Sequence, residues 1–470
     1  MYNETGVITD LIVKAAQKAR LETSDKPEPE HTRPVKWPLQ CTVGPGLEGA
    51  IACESKVGYV NGLKGWLIYR GYDIFDLCAY STFEEVCYLL MHGTLPTSSQ
   101  LEAFKKKLNS YRFLNTTLRL LMGFPVEKMN AMGALRLGTN LMRQEFTYMD
   151  QERGRPKTID AISSDEDSIP METEPKGERR AIYEFKYSRQ HKRSKFKQHL
   201  EDASGVEACY HLISGVATIA AAIARIHQGH MPVEPDPELS HAANLLYMIT
   251  GRRPTPVEER IMDIALILHA DHGMNASTFA SMVVASTLSD IYFSVGAGIA
   301  ALNGPLHGGA NEQVIHTLKE IGHTDNVKTW LDKELARKRK IAGFGHRVYK
   351  VYDPRARVLG PLAKFLVKRN STIEPLFQIA KKLEEEVISR LGEEKKIFTN
   401  VDFYSGIVYS CLGIAPEMFT PIFAVSRVSG WTSRVLEYLQ NNRIFRPRAM
   451  YVGEFNKKFV PLFLRDESTN

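Results

Sequence analysis

A mainly α fold is predicted by three features of the chain. Apolar residues recur at helical spacing over most of its length, strand-like runs are confined to residues 44–73, and no internal repeat is visible. A parallel sheet cannot be built from so few strand pieces. With 470 residues and 43% hydrophobic content the chain can bury a large core, and length alone predicts two or three domains. Its formal net charge of +6 is spread along the sequence, which argues against a nucleic-acid stripe and leaves acidic small molecules or phosphates open as ligands. Six cysteines lie apart without a Cys-x-x-Cys pair, as expected of buried thiols in a reducing compartment. The first residues carry no secretory or transit pattern, so a cytoplasmic address is expected.

Taken in order, residues 1–38 are polar and rich in proline and charge, which predicts a loosely held N-terminal extension without chemistry. Glycine-separated runs then follow, Val57 to Gly62 and Gly65 to Asp73, as small β pieces near the N-terminus. Thr82 with Glu84 and Glu85 signals a helix start, and His92-Gly93 its stop; a second helix begins near Ser98. Residues 150–202 interrupt the texture with an acidic block and then a basic one, Arg179 to Lys197, predicting a surface insertion or a polyanion-docking site. Two apolar segments, Val206 to Ile226 and Thr278 to Leu302, carry charged residues and many small ones, so they read as buried helices and not membrane spans.

Chemistry concentrates between His269 and Arg355. Three turns follow one another there: His269-Ala-Asp-His272-Gly-Met-Asn275-Ala-Ser277, Gly304-Pro-Leu-His307-Gly-Gly-Ala-Asn311, and Gly343-Phe-Gly-His346-Arg-Val-Tyr-Lys350-Val-Tyr-Asp353-Pro-Arg355. Each offers glycine or proline for a tight backbone and histidine for proton chemistry. His307 falls beside a predicted helix N-terminus, whose dipole disfavours imidazolium; a neutral ring there can donate to a carbonyl becoming an enolate. Asp402, in Asn400-Val-Asp402-Phe-Tyr-Ser-Gly406, is either a helix N-cap or a partly buried general base for a carbon acid. Arg355, Arg427 and Arg446 sit in Gly- or Pro-punctuated contexts and can hold carboxylates bidentately. The loop from Lys340 through Ile341, Ala342, Gly343, Phe344 and Gly345, with Lys350 beyond, can approach a phosphate, yet it lacks a dinucleotide or Walker spacing.

Together with Arg446-Pro-Arg448, these motifs stand in an order that strongly resembles the citrate synthase family, and the resemblance spans about Pro38 to Gly453 apart from the charged insertion. It implies a two-domain helical fold in a homodimer or higher homo-oligomer: a large domain of 39–307 and 414–470, and a small domain of 308–413. The implied substrates are acetyl-CoA and oxaloacetate, with no metal and no cofactor beyond the thioester itself. Carried over by position, Asp402 is the base, His307 binds the thioester oxygen, and His346 polarises the ketone. His272, Asn275, Arg355, Arg427 and a neighbouring subunit's Arg446 attend the carboxylates of oxaloacetate. Coenzyme A lies along Lys340 to Gly345, with Lys350 and Asn400 adjoining. The form of the His269–Asn275 motif resembles prokaryotic members. A 2-methylcitrate synthase using propionyl-CoA matches the same positions, since one methylene in a pocket discriminates by only about 1–3 kcal/mol. A polyanion-binding protein acting through residues 179–197 is the alternative of another class; membrane association is not expected, and nucleic acid is not the expected partner.

Overall fold

The computed structural model describes residues 4–23, 37–154, 203–462 and 465. The charged insertion, including its basic half, falls almost wholly on residues outside this set. Its first few residues continue a helix that ends at Gly154.

The N-terminus departs from the sequence expectation. Residues Glu4–Glu22 form helix α1, with Ile8, Ile12, Ala15, Ala16 and Ala19 buried along one stripe. The spacing is helical, but Asp10, Lys14 and Lys18 between these residues dilute it. The three-stranded antiparallel sheet comes next, β1 (Gly58–Asn61), β2 (Trp66–Tyr69) and β3 (Tyr72–Asp73), in register Gly58↔Tyr69 and Ile68↔Asp73. Five helices precede the insertion or run into it, α2 (Ile74–Tyr80), α3 (Phe83–His92), α4 (Ser98–Ser110), α5 (Asn115–Leu121) and α6 (Ala131–Gly154), and α7 (Ala203–His227) resumes beyond it. Thr82 caps α3 by accepting from the Glu85 N–H, and Gly93 ends it at φ 86°, a left-handed conformation that costs glycine little. Helix α4 has a full capping box between Thr97 and Gln100.

Helix α7 is long and apolar enough to cross a membrane, but 83% of its most apolar window is buried inside the fold. It packs against α6 and against the last helix, as a core helix should. Helices α8 (His241–Thr250) and α9 (Pro256–His269) follow, and α9 is buried at every position from Ile261 to His269. Helices α10 (Ala276–Ser286) and α11 (Ile291–Leu302) form a closely packed pair. Then come α12 (Ala310–Ile321), α13 (Val327–Ala336), α14 (Pro354–Val367), α15 (Glu374–Lys395) and α16 (Val401–Cys411), among which α12 and α14 both pack on α16 and α13 packs on α15. Helix α1 docks on α2 and α14, held at its ends by ion pairs from Arg369 to Glu4 and from Arg357 to Glu22.

The last helix, α17 (Phe419–Leu439), is buried from Phe419 to Val435 and runs through the centre. Gly430 lets it lie against the turn after α9, because a Cβ there would stand 2.3 Å from the Ala270 carbonyl oxygen. That close approach brings the side chains of α17 to the histidine-bearing turns.

Candidate active site

The turn after α9, the loop before α14 and the sheet meet at three aromatic rings. His272 lies 5.2 Å from His346 and 5.4 Å from Tyr349 between ring centroids, and His346 lies 4.9 Å from Tyr349. His346 Nδ1 accepts the backbone N–H groups of Val348 and Tyr349 at 3.0 and 3.1 Å. With that lone pair occupied, the proton resides on Nε2, and the ring presents an N–H donor. Burial lowers its pKa to about 4, so it is neutral at physiological pH. His272 Nε2 stands 3.3 Å from the Tyr349 hydroxyl, and burial with the nearby Arg355 charge holds its pKa well below the ordinary value.

His307 is the mirror case. Its Nε2 accepts the Ser277 backbone N–H at 3.2 Å and lies 2.9 Å from the Ser277 hydroxyl, which leaves Nδ1–H as the free donor. Ser277 is itself fixed: its Oγ stands 2.7 Å from Asn275 Oδ1 and accepts the Trp431 indole N–H at 3.3 Å. The pKa of His307 is pushed down to about 4, first by burial and then by the Arg427 charge. The ring is therefore neutral as expected, but desolvation and a cation are the cause, and the dipole of α12, which begins three residues later, is not needed to explain it.

Asp402 stands in the first turn of α16. The cap of that helix is Asn400, whose Oδ1 accepts the Asp402 N–H at 3.0 Å, so the N-cap reading of Asp402 is replaced. Freed from capping, the partly buried carboxyl has its pKa pushed up to about 6, by burial above all, with Asp353 adding and Arg355 and Arg427 opposing. A base tuned toward neutrality is what proton abstraction from carbon requires. Asp353 organises the rest. It caps α14, accepts Arg355 Nε at 3.0 Å and Nη2 at 2.8 Å, and receives the Val401 N–H at 3.3 Å. One carboxylate thus joins the N-termini of α14 and α16 and aims the Arg355 guanidinium.

Arg427, on α17, is 1% exposed. Its Nε donates to the His269 carbonyl at 2.6 Å and its guanidinium carbon lies 4.7 Å from the Phe423 ring centroid. Burial lowers its pKa to about 10, which still leaves it charged, and its Nη2 is buried without a hydrogen-bond partner among the described residues. A buried guanidinium with a spare donor calls for an anion.

Other expected residues lie further out. Asn275 caps α10 by accepting the Thr278 N–H, and its Nδ2 reaches only nearby carbonyls at 3.4 Å. Arg446 is exposed on the segment after α17 and, among the described residues, bonds only to the Pro447 carbonyl, at 3.3 Å. Lys340 and Lys350 are exposed at either side of the 341–346 loop. That loop is pinned from beneath: Gly345 N–H donates to the Phe398 carbonyl at 2.8 Å, Asn400 N–H to the Gly343 carbonyl at 2.9 Å, and Asn400 Nδ2 to the Gly345 carbonyl at 2.9 Å. Gly343 must be glycine, with φ at 81° and a Cβ position only 2.6 Å from the Phe403 ring.

Sequence reading missed the supports. Tyr349, Asp353 and Ser277 stood inside quoted motifs without a role. Trp431 follows Arg427 by one helical turn, a spacing that places both on one face. The buried pair of Asp271 and Arg434, with contacts of 2.6 and 2.7 Å, underlies the His272 turn and ties it to the carbonyl of Gly58.

Comparison with known proteins gives the family. Residues 46–448 match the family model for the citrate synthase C-terminal domain. A citrate synthase of Acidithiobacillus ferridurans is 38% identical over 90% of this chain and 98% of its own, and one of Haloferax volcanii is 39% identical over 89% and 97%. Among solved structures, citrate synthase of Pyrobaculum aerophilum superposes with a TM-score of 0.74 at 39% identity, covering 93% of this chain and all of that one. Citrate synthase from Thermoplasma acidophilum, solved with carboxymethyl coenzyme A and oxaloacetate, gives 0.74 at 30% identity, covering 91% of this chain and 100% of its own. In sequence over nearly its whole length and in fold, the chain belongs to the citrate synthase family.

Proposed function

We infer that this enzyme condenses acetyl-CoA with oxaloacetate and hydrolyses the resulting citryl thioester to citrate and CoA. The observation that carries the reading is a raised-pKa carboxylate, Asp402, grouped with two neutral histidines that present N–H donors and two buried arginines. Asp402 takes a proton from the acetyl methyl group while the His307 Nδ1–H donates to the thioester oxygen, where charge develops in the enolate. The enolate carbon attacks the ketone of oxaloacetate, whose oxygen is met by the His346 Nε2–H. Arg355, Arg427 and His272 hold the carboxylates, joined by Arg446 from a second copy in a homodimer. The exposed Tyr451, Val452, Phe455, Phe459 and Leu462 beyond Arg446 support that assembly, as an apolar arm fit to lie on another chain. Water then cleaves the citryl thioester, releasing CoA with its thiol proton restored.

Residues 308–413 act as a small domain closing on the rest, with the 340–345 loop, Lys350 and Asn400 along coenzyme A. The enzyme works in the cytoplasm. Release of free CoA thiol from acetyl-CoA and from propionyl-CoA, each with oxaloacetate, tests the reading. A higher kcat/KM for acetyl-CoA is expected. Preference for propionyl-CoA makes it a 2-methylcitrate synthase, and no turnover of either overturns the assignment.

A further inference from the structure

One buried carboxylate outside the reacting set ties its parts together. Glu384 lies on α15, is 5% exposed, and accepts four hydrogen bonds. Tyr352 Oη and Thr399 Oγ1 donate to Oε1 at 2.5 and 2.8 Å, while Tyr404 Oη and Lys381 Nζ donate to Oε2 at 2.6 and 2.7 Å. A carboxylate has about four acceptor positions, so these donors use all of them. Burial raises the pKa of Glu384, but Lys381 and the two tyrosine hydroxyls outweigh it and hold the group below the ordinary value.

The three hydroxyl donors are placed where they matter. Tyr352 adjoins Asp353, which aims Arg355; Thr399 adjoins Asn400, which caps α16 and holds the 341–346 loop; Tyr404 stands two residues after Asp402. Burying a carboxylate is a poor way to gain stability, since an aliphatic side chain of similar volume does as well or better. What the carboxylate adds is direction. Three hydroxyls aimed at one charged centre fix three backbone segments relative to one another, which apolar contact does not do.

We propose that Glu384 is a positioning residue that sets the placement of Asp402 relative to Arg355 and His346. The proposal rests on the reading of Asp402 as the base. A displacement on the order of 1 Å in a reacting group costs about a hundredfold in rate, so loosening this clamp acts on kcat.

The test compares Glu384→Gln with Leu383→Ala, a fully buried neighbour on the same helix that faces no site residue through a hydrogen bond. In the full-length enzyme, Glu384→Gln lowers kcat about ten- to a hundredfold and moves the acid limb of the kcat/KM profile away from its wild-type position. Leu383→Ala, at an equal or larger fall in melting temperature, keeps kcat within about threefold and leaves the limb in place. Should Glu384→Gln fail to fold, Tyr352→Phe and Tyr404→Phe carry the test, each removing one donor and each lowering kcat. Wild-type kcat in folded Glu384→Gln, or in both phenylalanine variants, overturns the proposal. So does an equal loss of kcat in Leu383→Ala. Asp402→Asn is assayed beside them: if it turns over like wild type, the base assignment fails whatever Glu384 does.

Discussion

Replacing Asp402 by asparagine should destroy activity and stabilise the unliganded protein at the same time. Burial raises this carboxyl from 3.8 to about 6 in the folded chain. Two pK units correspond to roughly 3 kcal/mol, and partial exposure of the group trims that to about 1–3 kcal/mol. The sign follows from linkage. Below about pH 4 the carboxyl is protonated in both states and imposes no penalty; as pH rises to about 6 the unfolded chain has released its proton while the fold still retains it, and stability falls. Above that range the full penalty persists. Asparagine cannot ionise, so Asp402→Asn should unfold at the same temperature as wild type near pH 4 and at a higher one at pH 8. Thermal unfolding followed by circular dichroism across that range reads the difference, and CoA-thiol release reads activity, which should drop about a hundred- to ten-thousandfold. A variant no more stable than wild type at pH 8 would refute the reasoning, since Arg355 and Arg427 would then be compensating the charge and leaving a weak base.

Wild-type kcat/KM should fall tenfold per pH unit below about 6, a one-proton slope, because His307 and His346 stay neutral down to about 4; a midpoint near 4 in the rate profile contradicts the assignment of Asp402. Arg427→Ala should raise KM for oxaloacetate roughly ten- to a hundredfold, the worth of a charged hydrogen bond, with a much smaller change in kcat by steady-state assay. Asp271→Asn strips the partner from buried Arg434 and should cost about 3–5 kcal/mol, read by chemical denaturation. Deleting residues 155–202 should leave turnover within about threefold of wild type, a change too small to signal a lost catalytic group.

The candidate site residues stood out because each turn couples a titratable side chain to glycine or proline within a few positions. Helix α9 was equally open, since Val257, Ile261, Ile264 and Leu268 repeat at helical spacing and all are buried. Helix α1 was hidden for the opposite reason: its stripe of Ile8, Ile12 and alanines is interleaved with Lys14, Lys18 and Arg20 and followed by a proline-rich stretch whose composition dominated the reading. The state of His307 depends on the Ser277 N–H thirty residues away, and no spacing rule reports which nitrogen meets it. Glu384 is the plainest case. It opens a run of three glutamates in a charged helix, and only packing reveals that this one is buried among four donors while Glu385 is exposed and Glu386 is half-buried, paired with Arg390 and Lys382.

The opposed tautomers of His307 and His346 decide what these rings are unable to do. In each, the nitrogen without a proton already accepts backbone N–H groups, so no lone pair is left to offer. Such an imidazole can be neither a nucleophile toward a thioester nor a ligand for a stray transition-metal ion, the two side reactions to which histidine clusters are prone. Backbone amides therefore act as chemical insulation, and on the proposed reading of Asp402 as the base they leave proton acceptance to that carboxylate.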